Sequence, residues 1–283
     1  MNVFVIGLGL IGGSMALDIQ QHNTAAVVYG IDADVTHANK ALSLGIIHHK
    51  ATMDALPTAD VVLVAVPVDV LLDILPEVLD LVSDTAVVVE VGSSKERICA
   101  TVATHRKRRN LIATHPIAGT EFSGPSAAHT GLFQQKTMIV CEVEKTAFSL
   151  QEKALEIFKN LGMRIRYMDP VAHDKHIAYV SHLSHISSFM LGKTVLEKEE
   201  NERDIFDMAG SGFESTVRLA KSSPAMWAPI FEQNKTNIVA SLTEYIRNLE
   251  AFKALMVSDQ FSEIYKTMED THQLKNILNG IVQ

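Results

Sequence analysis

The 283-residue chain carries 25 Lys and Arg against 33 Asp and Glu, a formal net charge of −8, with 47% hydrophobic and 20% charged residues. That length suits two domains better than one, and the composition is that of a globular protein able to bury a sizeable core. The acidic balance argues against nucleic acid or anionic membrane as a partner, since phosphate surfaces need a basic face, so an anionic substrate has to be captured by local cations.

The chain opens on an apolar, β-branched run at 2–7 (NVFVIG) that passes straight into glycines. There is no basic leader or cleavage site before it, so a cytoplasmic protein is expected. A helical pattern at 11–21 leads to a second strand at 25–31, which ends on Asp32. Residues 33–44 read as helix, 61–66 as a fully buried strand, 70–81 as helix and 86–91 as strand. A helix at 97–105 follows, closed by the basic run His105-Arg106-Lys107-Arg108-Arg109, which reads as a solvated helix end. Strands are expected at 111–114, 137–141 and 163–168, the last after a helix at 150–161. Continuous Val/Ile/Leu strands alternating with helices indicate a doubly wound parallel sheet covered on both faces.

Asp169-Pro170 changes the pattern. Beyond it the sequence reads as helices at 171–197, 202–221, 224–254 and 258–280, with Pro170 and Pro224 as first-turn prolines. The fold class is therefore α/β over 1–169, a Rossmann-type nucleotide-binding sheet, followed by an all-helical domain over 170–283. The longest apolar stretches, such as 61–68, are too short to span a bilayer. Cys99 and Cys141 have no metal-ligand spacing and read as buried reduced thiols.

The segment Gly7-Leu8-Gly9-Leu10-Ile11-Gly12 is GxGxxG between a strand and a helix. Gly7 allows the tight turn, Gly9 lets a pyrophosphate approach the backbone, and Gly12 lets the helix pack on the strand. The helix N-terminus, including Leu10 and Ile11, then supplies N–H groups to the phosphates. Asp32, about 20 residues further on, is placed to bind the ribose diol of NAD and to repel the 2′-phosphate of NADP. Val66, at the end of a neighbouring strand, joins the same site. Asp32 is alternatively the N-cap of the next helix. Two other strand ends carry polar groups: Ser93 in Gly92-Ser93-Ser94-Lys95, and His115 in the stretch from Thr114 to Glu121, which includes Thr120. A neutral imidazole on the cofactor side of the sheet is a candidate base, and the nearby Ser93 a candidate partner.

GLGLIGGS at 7–14, GSSK at 92–95, HPIAGTEFSGP at 115–125, HDKHIAYVSHLSHISS at 173–188 and GSGFESTVRLAKSSPAMW at 210–227 occur in this order. Together they resemble the prephenate dehydrogenases over essentially the whole chain. The resemblance implies a helical dimerisation domain, a homodimer, and NAD-dependent oxidative decarboxylation of the dicarboxylate prephenate to 4-hydroxyphenylpyruvate. It implies His115 as the base at the reacting hydroxyl, with Ser93 orienting the imidazole or the hydroxyl beside the nicotinamide. Arg218 would bind a carboxylate, as a guanidinium can do bidentately, with Thr120, Trp227, His185 and the 210–212 turn nearby. Arg218 as a surface partner of Glu214, and Trp227 as a packing aromatic, are the plainer readings. Ser211 departs from a more uniformly glycine run. Neither the regulatory domain nor the fused mutase of some relatives is expected.

At about 100° per residue, His173 and His185 lie about 120° apart on one straight helix, as do His176 and His182. Four ligands cannot then converge, and no metal is expected. Arogenate, with an amine in place of the ketone, is the alternative substrate. An ammonium would favour a carboxylate, for which this helix offers Asp174; a ketone wants a donor, which His185 could supply, while Glu121 weakens the choice. A 3-hydroxyacid dehydrogenase using Lys175 would leave HPIAGTE unexplained, and a non-catalytic NAD sensor would not need His115 and Ser93 at adjacent strand ends.

Overall fold

In β1 (Asn2–Ile6), Val3 and Val5 enter one core while Phe4 and Ile6 enter a second, and all four are buried. A strand with apolar residues on both sides needs a helical layer on each face, and the rest of the chain supplies them. It runs through α1 (Leu10–His22), β2 (Val27–Ile31), α2 (Val35–Ser43), β3 (His49–Lys50), β4 (Val61–Val64) and α3 (Val68–Leu81). Next come β5 (Val87–Glu90), α4 (Glu96–Thr101), β6 (Leu111–Ile117), β7 (Thr137–Cys141), α5 (Phe148–Asn160) and β8 (Arg164–Met168). The eight strands lie in the order β3-β2-β1-β4-β5-β6-β7-β8. This is a computed structural model, and it describes residues 1–200, 204–275 and 277.

The first core joins alternate strand residues (Val28, Leu63, Val89, Ile112) to Met15 and Ile19 of α1, Ala38 and Ala41 of α2, and Leu150 and Phe158 of α5. The second joins Val62, Val64 and Val88 to Leu71, Leu75 and Val78 of α3 and Ile98 of α4. The sheet is parallel except at one place: β7 pairs antiparallel with β6, and β8 is parallel to β7. No α-helix crosses over between β6 and β7, so the chain returns in the opposite direction. β6 is also longer than expected, so His115 lies inside the strand, opposite Ile139, rather than after it. The two-residue β3 was too short and too exposed to show in the hydrophobic pattern.

Beyond Asp169 the described residues form no strand. Asp169 caps α6 (Pro170–Ile177) by accepting from Val171 and Ala172 N–H, with Pro170 in the first turn. The expected helix at 171–197 is interrupted by one π-helical turn (Ala178–His182) before α7 (Leu183–Glu199). The expected helix at 202–221 begins on residues outside those described. Its later part is a 3₁₀ turn (Phe206–Met208), α8 (Ser211–Val217) and a second 3₁₀ turn (Arg218–Lys221). Gly210 and Gly212 weaken a continuous helix here. The expected 224–254 helix divides at Asn234 into α9 (Pro224–Gln233) and α10 (Lys235–Val257), and 258–280 contains α11 (Phe261–Thr271) and ends outside the described residues.

The chain falls into two compact units, residues 1–235 and 236–283, which differs from the boundary expected at 169/170. Trp227 and Ile230 of α9 are part of the second sheet core, which ties the first helices of the C-terminal half to the sheet. In the second unit, Ile238, Ser241 and Ile264 are buried, whereas Val239, Ile246, Leu249, Met256, Phe261 and Tyr265 are exposed. No helix among the described residues is long and apolar enough to cross a membrane.

The basic run is less solvated than its composition suggests. Arg108 is buried, donating to Leu111 O and to Glu142 (3.0 Å), and Arg106 pairs with Asp80 (2.8 Å). Both cysteines are free and buried, and burial pushes each thiol up to about 12.

Candidate active site

The glycine turn has the geometry a pyrophosphate needs. Gly7 sits at φ +89°, where a side chain would meet Ala65 O at 2.4 Å, and a Cβ on Gly12 would lie 2.0 Å from Gly7 O. Gly9 has open space instead, with nothing within 4 Å of an added Cβ. It is also the N-cap of α1, which has no side-chain cap and no acidic residue in its first turn. That positive helix end suits a dinucleotide phosphate. Asp32 faces the turn, accepting from Leu8 N (2.8 Å) and Asp34 N (2.9 Å). It does not cap α2; Asp34 does. Val66 lies against Gly7, within 3.0 Å of the position of an added Cβ.

Three residues from two segments form a hydrogen-bonded line at the neighbouring strand ends. Asp174 Oδ1 is 2.7 Å from His173 Nδ1, and His173 Nε2 is 2.8 Å from His115 Nδ1. A carboxylate only accepts, so His173 carries its proton on Nδ1. If neutral, its Nε2 accepts from His115 Nδ1–H, which leaves the lone pair of His115 on Nε2. Burial, then the neighbouring His173, Lys95 and His182, hold His115 well below the usual imidazole range. His173 is also lowered, by burial first, against the opposing pull of Asp174.

Asp174 is buried and fully engaged. Besides His173, it accepts from Lys95 N (2.8 Å) and Glu96 N (3.0 Å), and so caps α4 from another segment. Lys95 and Glu90 form a wholly buried ion pair beneath this line. Glu90 also accepts from Thr114 N (3.1 Å) and Gly92 N (2.9 Å), and Lys95 Nζ donates to Thr114 O. The residue before His115 is thus fixed through both its main-chain groups. Ser93 is half-buried, and no hydrogen bond joins it to His115 among the described residues; His173 holds the imidazole instead.

A second cluster surrounds Trp227. His185 stacks on its ring (centroids 3.5 Å, 28°), and His182 meets it edge-on at 5.8 Å. Asn234 links the clusters, donating to Asp174 O (2.6 Å) and lying 3.2 Å from His182 Nδ1. Burial pushes His182 down to about 4. Arg218 is half-exposed and donates to Glu121 (2.9 Å), the carboxylate of the β6–β7 loop; the expected partner Glu214 approaches Lys221 instead (3.8 Å). Its own main-chain N–H, then Arg218, hold Glu121 below the usual carboxylate range. Thr120 is exposed in the same loop, its hydroxyl accepting from Phe122 N. Among the described residues no group of three or more His, Cys, Asp or Glu could hold a metal ion.

Two family models match in succession: the prephenate dehydrogenase nucleotide-binding domain over residues 15–167, and the prephenate dehydrogenase dimerization domain over 169–270. The chain belongs to the prephenate dehydrogenase family. It is 29% identical to the prephenate dehydrogenase of Bacillus subtilis over 94% of this chain and 72% of that one. It is 25% identical to the cyclohexadienyl dehydrogenase of Zymomonas mobilis over 97% of this chain and 94% of that one. Among solved structures, the prephenate dehydrogenase of A. aeolicus in complex with hydroxyphenyl propionate and NAD+ superposes with a TM-score of 0.86. The identity there is 28%, with 98% of this chain and 97% of that chain covered.

For this prephenate dehydrogenase family member, Gly7, Gly9, Leu10, Ile11, Gly12, Asp32 and Val66 gather at one turn, and His185 and Trp227 touch. Sequence reasoning missed the pairing of His173 with His115, the buried Glu90–Lys95 pair and the linking role of Asn234. Glu90 was a visible signal: a carboxylate at the end of an otherwise apolar strand followed by a lysine five residues later.

Proposed function

We propose that this chain oxidises prephenate with NAD, releasing carbon dioxide and giving 4-hydroxyphenylpyruvate. The Asp174–His173–His115 line carries this reading, because it leaves an unprotonated nitrogen on a half-buried ring carried by a strand of the same sheet that bears the dinucleotide turn. The enzyme is an NAD-dependent oxidoreductase, and the bound nicotinamide supplies the hydride acceptor. His115 Nε2 takes the proton of the reacting hydroxyl as that carbon becomes a carbonyl. His173 and Asp174 fix the ring and its tautomer and stabilise the charge that arrives on it. Ser93, with no side-chain partner of its own among the described residues, stands ready to bond the substrate hydroxyl. Loss of carbon dioxide is driven by aromatisation, so the residues mainly align the reactants.

Arg218 binds a substrate carboxylate in competition with Glu121, and Thr120, His185 and Trp227 line the same region. Asp32 binds the ribose diol and selects NAD over NADP. The protein is a cytoplasmic homodimer that associates through its helical C-terminal half. A family model for a dimerization domain and the exposed apolar side chains of α10 and α11 support this. The test is direct: purified protein with NAD and prephenate should produce NADH and carbon dioxide in equal amounts. Absence of both would remove the proposal.

A further inference from the structure

The buried residues of α1 are apolar or glycine except for Ser14 and Asp18, which lie one helical turn apart on the same face. Packing a helix on a sheet requires neither. A buried carboxylate is costly, and burial raises the Asp18 pKa against the pull of the Gly131 N–H. Both side chains turn to another segment. Ser14 Oγ accepts from His129 N (3.1 Å), and Asp18 Oδ1 accepts from Gly131 N (2.9 Å). Gly13 completes the contact: a Cβ there would lie 2.7 Å from the Cβ of Ala128, so the glycine lets the chain come this close. Gly13 and Ser14 follow the GxGxxG turn and are not part of it.

The segment so held is the 118–136 connection between β6 and β7, which contains one 3₁₀ turn (Pro125–Ala127) and no α-helix. After the clamp, Leu132 and Phe133 are buried in the first core. Before it, Thr120 and Phe122 are exposed, and Glu121 meets Arg218. A connection this long and irregular ordinarily serves a function. Left loose, it would have to be ordered at the expense of binding.

Resting on the proposed function, we infer that Ser14 and Asp18 are positioning residues for the substrate. Through Ala128–Gly131 they hold the stretch that brings Thr120 and Glu121 to Arg218, and their burial keeps them from touching substrate or cofactor. The clamp acts on substrate binding rather than on the chemical step. His115 lies inside β6 and is held separately, by His173 on its ring and by Glu90 and Lys95 on the main chain of Thr114. The glycine turn has its own support in the packing of Gly7 and Gly12 and the bond from Leu8 N to Asp32. Loosening the loop therefore leaves the base and the cofactor turn in place.

The test is steady-state kinetics of Ser14→Ala, Asp18→Ala and Asp18→Asn with both reactants varied. Asp18→Ala removes a charged acceptor and should raise KM for prephenate about tenfold or more, and Ser14→Ala, which removes a neutral one, about threefold. In both, kcat and KM for NAD should stay within about twofold of the wild type. Asn keeps an oxygen for Gly131 N, so Asp18→Asn should return KM for prephenate close to the wild-type value. KM does not depend on how much of a variant folds, whereas a merely structural bond would lower Tm and leave every KM alone. Limited chymotrypsin digestion, read by mass spectrometry, should cut after Phe122 faster in the two Ala variants than in Asp18→Asn or the wild type. The inference is overturned, with the proposed function left in place, if the Ala variants keep the wild-type KM for prephenate and the wild-type digestion. An equal rise in KM for NAD, or an Asn variant as impaired as Asp18→Ala, overturns it too. No NADH from the wild type with prephenate overturns the proposed function and the substrate role of the loop together.

Discussion

At His115 the question is which nitrogen carries a proton, because that decides whether the ring is a base. The line from Asp174 through His173 gives the answer, and burial keeps the ring neutral. His115→Asn keeps a hydrogen-bonding group but removes the base, so kcat should fall by roughly 10²–10⁴-fold with little change in KM. Because the ring is held well below the ordinary imidazole pKa, wild-type kcat should stay level as pH falls through 6.5 and drop only at lower pH. The variant should lose that limb. Steady-state kinetics across pH reads both effects, and near-normal turnover by the variant would release His115 from the mechanism. The role proposed for Asp32 rests on a different physics, charge against charge. Asp32→Ala should raise KM for NAD and narrow the preference over NADP. Comparable kcat/KM of the wild type with both cofactors would contradict its role.

At the scale of elements, the sheet and the helices differ in how they are joined. Gln233, at the end of α9, accepts from Ser94 Oγ–H and donates to Val68 O, both at 2.6 Å. One amide thus ties the turn after β5 to the start of α3, close to Val66 and Ser93. Gln233→Leu leaves the buried Ser94 hydroxyl without its partner and removes the amide bond to Val68 O, which should cost about 1–3 kcal/mol in urea denaturation. If the tie also orders the cofactor side, KM for NAD should rise more than KM for prephenate, whereas equal changes would restrict it to stability. These joints explain what was legible in the sequence. Apolar runs at 2–7, 61–66 and 86–91 identify strands because burial on both faces leaves a local signature. The glycine turn and Asp32 were legible because backbone geometry demands glycine at set spacings. The π turn at 178–182 was not, since one extra residue in a helical turn barely disturbs hydrophobic period. The His173–His115 contact was not either: it joins residues 58 positions apart, and no local pattern encodes it.

For the whole molecule, association is the first consequence. Leu249, Met256, Phe261 and Tyr265 are each more than half exposed in α10 and α11, apart from similar side chains in the same unit. Apolar surface of that extent is ordinarily covered by a partner. Light scattering at micromolar concentration should give twice the mass of the 31.1 kDa chain, and a monomer would contradict the twofold assembly.

The four imidazoles His115, His173, His182 and His185 also make unfolding a proton-uptake reaction. Each is held neutral in the fold, its pKa lowered first by burial, and each regains an ordinary affinity for protons once the chain opens. The folded-state values lie below the unfolded one, so the stability they permit is complete above pH 6.5. It is lost as pH falls toward the folded values, about 4 for His182. Tm should therefore drop steeply on acidification through this window, before most carboxylates titrate. Calorimetry in buffers of different ionisation enthalpy near pH 5.5 should register protons entering on melting, and His182→Asn should reduce their number. A Tm independent of pH between 6.5 and 5 would mean these rings are already charged in the fold. The enclosure that keeps these imidazoles unprotonated, the proposed base His115 among them, is thus also the acid-labile part of the protein.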